Sequence, residues 1–144
     1  MGKRTRTNLD GLRKLRARFR EMNERAVKVG VVGGDSSDLA VVAAANEFGT
    51  DKIPERSFMR STLRENTDKY NKGLQRGLEA VLDDKISAKQ ALDLVGIEVV
   101  KDVQAKIVEL DSPANAEATI EKKGSSNPLV DTGRLLQSIK HEVV

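Results

Sequence analysis

Four places in this chain carry residue types that could do chemistry. Asp131-Thr132-Gly133, behind Leu129-Val130, has the pattern of a peptidase loop in which two carboxylates, one from each subunit, share a proton. The next residue is Arg134, a cation that would hold Asp131 ionised rather than let it share. Only eleven residues follow Gly133, too few for the β-barrel such a loop requires, and the chain before it reads as helices. Asp131 or Thr132 as the cap of a short helix through Leu135, Leu136 and Ile139 fits better. Val31-Val32-Gly33-Gly34-Asp35-Ser36-Ser37 sets glycines between a strand and a helix, where a phosphate could be cradled. It has neither dinucleotide nor P-loop spacing, and Asp35 and Asp38 would repel the phosphate. Asp83-Asp84 with Glu79 could be imagined around a metal ion, but adjacent carboxylates at a helix end with no histidine nearby read as solvated charges. The fourth place is a cationic arm, Lys3, Arg4, Arg6, Arg13, Lys14, Arg16, Arg18 and Arg20. Its simplest reading is a solvated helix face; its charge would also suit an acidic protein neighbour or DNA phosphates. The aromatics that would stack on single-stranded bases are missing from it.

Composition narrows the chemistry further. The chain has no Cys and one His, His141. That removes a disulfide framework and leaves no ordinary zinc site within the subunit. Neither a metal nor a cofactor is expected. No apolar run nears the roughly 18–20 residues of a membrane span, so a soluble protein without membrane contact, made in a reducing cytoplasm, is expected. Residues 1–28 hold ten Lys/Arg against three Asp/Glu, a balance of +7, while residues 29–144 balance at −4. A basic arm, residues 1–25, thus precedes a mildly acidic body, residues 26–144. With 144 residues and 38% hydrophobic content, a single domain can bury roughly 68–70% of its unfolded surface. Phe19, Phe48, Phe58 and Tyr70 are the only aromatics, so the core must come from aliphatic residues.

Periodicity supplies the elements that must position these residues. Leu9, Leu12, Leu15, Phe19 and Met22 form one apolar stripe on a helix capped at Asn8, with Arg13, Arg16 and Arg20 on another face. Val27, Val29 and Val31 alternate with Lys28 and Gly30 as a strand. Ser37 or Asp38 starts a short helix reaching towards Phe48, and Gly49 ends it. After the Ile53-Pro54 turn, Phe58, Leu63, Tyr70, Leu74, Leu78, Val81 and Leu82 predict one long helix to Asp83, with Thr67 filling a gap in the stripe. Ser87 and Gln90 then predict a capping box for a helix carrying Leu92, Val95, Val99, Val103, Ile107 and Leu110. Gly96 inside that helix costs about 1 kcal/mol relative to Ala, which suggests a close contact there. Residues 111–130 lack periodicity and read as an irregular loop. Lys140–Val144 is a candidate terminal strand. The sum is a helix-rich α+β single domain.

Four blocks in order carry a family resemblance. They are Glu47-Phe48-Gly49-Thr50; Ile53-Pro54-Glu55-Arg56-Ser57-Phe58; Asn115-Ala116-Glu117-Ala118-Thr119-Ile120 with Lys123-Gly124; and Pro128 through Ile139. Together they resemble the tail-completion or neck proteins of tailed bacteriophages, a group of small virion-morphogenesis and tail-component proteins. The similarity covers roughly residues 26–144. Ser57 departs from the proline common in that family, and the basic arm lies outside the match.

The resemblance implies a small antiparallel sheet packed around a long helix, and a subunit with no catalysis. It implies a closed ring of identical copies, most often a hexamer, at the head–tail junction, built through a heterologous interface. Its partners would be the tail tube or terminator and the head connector, with assembly in the host cytoplasm and residence in the virion. Phe48, Arg56, Asp131 and Arg134 are then candidate assembly residues, with Arg56 and Asp131 expected to tie the two main blocks together. Arg13, Arg16 and Arg20 are candidates for a partner contact by the arm. The alternative from charge alone is a DNA-binding protein acting through that arm.

Overall fold

The computed structural model describes residues 6–32, 37–110 and 133–144. In chain order the elements are α1 (Arg6–Asn23), β1 (Val27–Val31), α2 (Ser37–Phe48), α3 (Met59–Glu65), α4 (Thr67–Leu82), α5 (Ala88–Glu109), α6 (Arg134–Ser138) and β2 (Ile139–Val143). The fold is α+β: helices with one two-stranded antiparallel sheet packed against them.

The frame is α5, the longest helix. Its start is the capping box expected from sequence: the Gln90 amide donates to Ser87 Oγ at 3.1 Å, and the Ser87 amide donates to Gln90 Oε1 at 2.9 Å. Its predicted stripe is the core, with Leu92, Val95, Val99, Val103 and Ile107 buried. On one side α4 packs antiparallel to it. A Cβ on Gly77 would lie 3.0 Å from the Ala91 Cβ, so the two backbones approach more closely there than a larger residue would allow. Lys69, Tyr70 and Asp102 join these helices at their far end: Lys69 Nζ lies 2.7 Å and Tyr70 Oη 2.9 Å from Asp102 Oδ2.

On its other side α5 carries the sheet. β1 and β2 pair antiparallel in the register Val27–Val143, Val29–His141 and Val31–Ile139. The close contact expected at Gly96 is with β2: a Cβ there would lie 2.4 Å from the His141 ring. Only glycine lets the strand settle on the helix at this point.

Three expectations need correction. The helix predicted through residues 58–83 is two helices, broken at Asn66. There the Asn66 side-chain amide donates to the Thr62 carbonyl at 2.9 Å, and Thr67 Oγ1 donates to the Leu63 carbonyl at 2.8 Å. These side chains compete with the regular backbone ladder and bend the chain. The break also turns Leu63, expected in the buried stripe, out to solvent, while Ser61 and Thr62 face inward. At α1 and α2 the expected caps already lie inside the helices. Arg6 and Thr7 precede Asn8 within α1, since arginine is among the good helix formers. Ser37 and Asp38 form the first turn of α2, which runs the full way to Phe48.

Candidate assembly site

Where α2 hands over to α3, the chain folds back on itself around one carboxylate. Gly49 adopts φ +73°, a left-handed conformation that ends α2 and suits glycine. A Cβ there would also press on the Glu55 backbone at 3.0 Å. The Thr50 amide donates to the Ile53 carbonyl at 2.7 Å, and the Ile53 amide donates to Thr50 Oγ1 at 3.0 Å. This tight turn brings the start of α3 onto the last turn of α2.

Glu47 is 5% exposed, and five donors surround its carboxylate. Oε1 accepts from Ser57 Oγ at 2.9 Å, the Arg60 amide at 3.0 Å and Arg60 Nε at 2.9 Å. Oε2 accepts from the Phe58 and Met59 amides at 2.8 and 2.9 Å. Three of these donors are the amides that open α3, which have no intrahelical partner. Glu47 is therefore a helix cap supplied from about ten residues upstream, and its charge complements the helix dipole. Burial pushes its carboxyl up, but the amides of Met59 and Arg60 with the Arg60 and Ser57 side chains outweigh that, so its pKa falls below the ordinary carboxylate value.

Arg60 closes the knot from outside. Its Nη2 reaches the Glu47 carbonyl and Glu55 Oε1, both at 2.7 Å, and its guanidinium stacks 4.6 Å from the Phe48 ring centre. Arg56 is buried; its amide donates to the Asn46 carbonyl at 2.6 Å and its Nη1 to Asn46 Oδ1 at 3.2 Å. Phe58 has no exposed surface and is the apolar anchor beneath the knot, a burial worth about 1.5–3 kcal/mol.

The candidate residues divide accordingly. Phe48 and Arg56 lie in one knot, but only Phe48, at 64% exposure, presents itself to a partner. Arg134 is exposed at the start of α6, behind Gly133 at φ +73°. Asp131, its expected bond to Arg56 and the block around Asn115–Gly124 lie outside the described residues; the N-cap position of α6 is held by Gly133 in place of the expected Asp131 or Thr132. Arg13, Arg16 and Arg20 are exposed on α1; Arg13 lies 3.7 Å from Asp10 and Arg20 4.0 Å from Glu24. Sequence reasoning placed Asn46, Glu47 and Arg60 in or beside the family blocks but gave none of them a site role. Their spacing follows no local capping rule, because the contacts depend on the turn between the helices.

The acidic pair considered for a metal ion is occupied by structural contacts, while residues 33–36 of the glycine-bearing connection lie outside the described residues. Asp83 pairs with Lys85 at 2.9 Å, and Asp84 pairs with Arg18, whose Nη1 also donates to the Leu82 carbonyl at 2.7 Å. Among the described residues no three His, Cys, Asp or Glu side chains are grouped to share a metal ion. No helix among them is long and apolar enough to cross a membrane.

No family model, curated protein or solved structure matches the chain.

Proposed function

We propose that this protein is a non-catalytic virion subunit of a tailed bacteriophage, forming a ring at the head–tail junction. Copies of the chain, most often six in such rings, would complete the tail and dock it to the head connector. No cofactor enters this role. The observation that carries the reading is the knot around Glu47. The residues that define the first two blocks, Glu47, Gly49, Thr50, Arg56 and Phe58, act on each other as cap, turn, buried cation and anchor. They hold a rigid edge from which Phe48 and Arg60 face outward, which is what a docking surface needs. Deleting the gene and imaging the lysate tests it. The expected outcome is filled heads and tails that remain separate, with the protein detected by mass spectrometry in complete particles. Its absence from purified virions would overturn the reading.

A second reading, DNA binding, is favoured by the exposure of Arg13, Arg16 and Arg20 on one helix. It requires duplex affinity that falls steeply with salt and disappears when residues 1–20 are removed. Salt-insensitive or absent binding would exclude it.

A further inference from the structure

Among the described residues the sheet has two strands, and a two-stranded ribbon is marginal on its own. Ala26 and Val144 exchange both backbone hydrogen bonds, at 2.8 and 2.9 Å. Antiparallel pairs alternate between bonded and non-bonded. With the observed register, the bonded pairs are therefore 26–144, 28–142 and 30–140. Val27, Val29 and Val31 must then turn their amides and carbonyls to the outer edge of β1. Ile139, His141 and Val143 do the same at the outer edge of β2. Among the described residues nothing pairs with either edge.

Both edges open onto an apolar cleft. One, of about 440 Å³, touches β2 and not β1, and is floored by Ile97, Val100, Lys101 and Gln104 of α5. Ile97 and the nearby Leu94 are more than half exposed, so apolar surface lies beside this edge. The other, of about 320 Å³, touches β1 and not β2, and reaches Phe48, Phe58 and Met59. An edge that nothing covers is a template for another strand.

We infer that β1 of one copy adds to the outer edge of β2 of the next. This inference rests on the ring reading and names the interface that closes the ring. Three observations select a second copy of this chain as the occupant. First, β1 and β2 run antiparallel, so repeating the pair in one direction places β2 antiparallel to the next β1 without inverting the subunit. That is a heterologous contact, which satisfies both edges of every copy and can close by rotation. Second, the pleat agrees. Val29 and Val31 pack towards the core beneath their own sheet. In the pairing of Val29 with His141 of the neighbour, this apolar face comes down over Ile97 and Val100. Third, the charges agree: the same register sets Lys28 opposite Glu142 of the neighbour on the solvent face. Pairing like edges would instead make a two-fold dimer and leave one edge of each copy open. The new ladder supplies roughly six backbone hydrogen bonds.

The chain has no cysteine, which permits a clean cross-linking test. In the proposed ladder, Lys28 and Glu142 of adjacent copies form a non-bonded pair with Cα atoms about 4.5 Å apart, within reach of a disulfide. Lys28→Cys and Glu142→Cys proteins are made separately, so that no bridge can form within a chain, then mixed and oxidised. Oligomer size is followed by light scattering. The expected result is a mixed disulfide dimer that outweighs either homodimer, formed only where the proteins oligomerise. Val29→Pro removes an outward amide while sparing the intrachain ladder, and should leave a folded monomer with unchanged circular dichroism. If that variant does not fold, the cross-link alone decides. Rings without the mixed disulfide would overturn the edge pairing and leave the ring reading standing. Dominant homodimers would overturn it in favour of two-fold pairing. A wild-type chain that stays monomeric at every concentration would overturn both.

Discussion

Glu47 shows how much one side chain can organise. A carboxylate buried to this degree is tolerated only because its donors converge on it. Glu47→Gln keeps the shape but loses the charge, the ion pair with Arg60 and part of the helix cap. It should lower stability by about 2–3 kcal/mol, as read by urea unfolding. The pH dependence has a definite sign. The folded pKa lies below the ordinary value of 4.5, so the stabilisation is complete above that pH and is lost as pH falls through the folded value. The gap in Tm between wild type and Glu47→Gln should therefore narrow on acidification below pH 4.5, and a constant gap would refute the assignment. Gly96 offers an independent residue-scale test. Gly96→Ala favours the helix intrinsically but drives a methyl into His141, and the net effect should be a loss of about 1–3 kcal/mol. His141→Ala should recover much of that loss in a double-mutant cycle; additive losses would mean that the two do not touch.

At the scale of elements, the break between α3 and α4 and the loose attachment of α1 matter most. Periodicity alone read residues 58–83 as one helix because the apolar spacing nearly continues across Asn66. It could not show that Asn66 and Thr67 divert the carbonyls of the preceding turn. The break lets α3 angle its amides onto Glu47 while α4 stays antiparallel to the core helix. α1 is different. Leu9, Leu12, Leu15 and Phe19 all remain substantially exposed, so the stripe read from sequence is real but does not enter this subunit's core. Arg18 anchors the helix to the α4–α5 turn through Leu82 and Asp84. A chain starting at residue 26 should therefore keep cooperative unfolding and lose no more than a few degrees in Tm, measured by calorimetry. Loss of the cooperative transition would show that α1 is integral to the domain.

At the scale of the molecule, one long helix carries a helical layer on one face and a two-stranded ribbon on the other. Such a ribbon gains little stability from its own pairing and depends on what lies under and beside it. α5 supplies the first. Completion by neighbours would supply the second, so assembly and sheet formation would be the same event in a ring. The exposed Phe48 and Arg60 lie at the rim of the β1 cleft, and would remain available beside a strand added there.

The local sequence determined the elements whose causes are local. The α5 stripe, the Ser87–Gln90 capping box, the alternation of Val27–Val31, the left-handed Gly49 and the need for space at Gly96 all follow from spacing of two to four residues and from backbone sterics. The tertiary structure decided what distant residues do to one another. It made Glu47 the cap of a helix about ten residues away, set His141 against Gly96 across 45 positions, and left the α1 stripe facing outward. Such contacts depend on how the turns aim the elements, and hydrophobic periodicity carries no information about that direction.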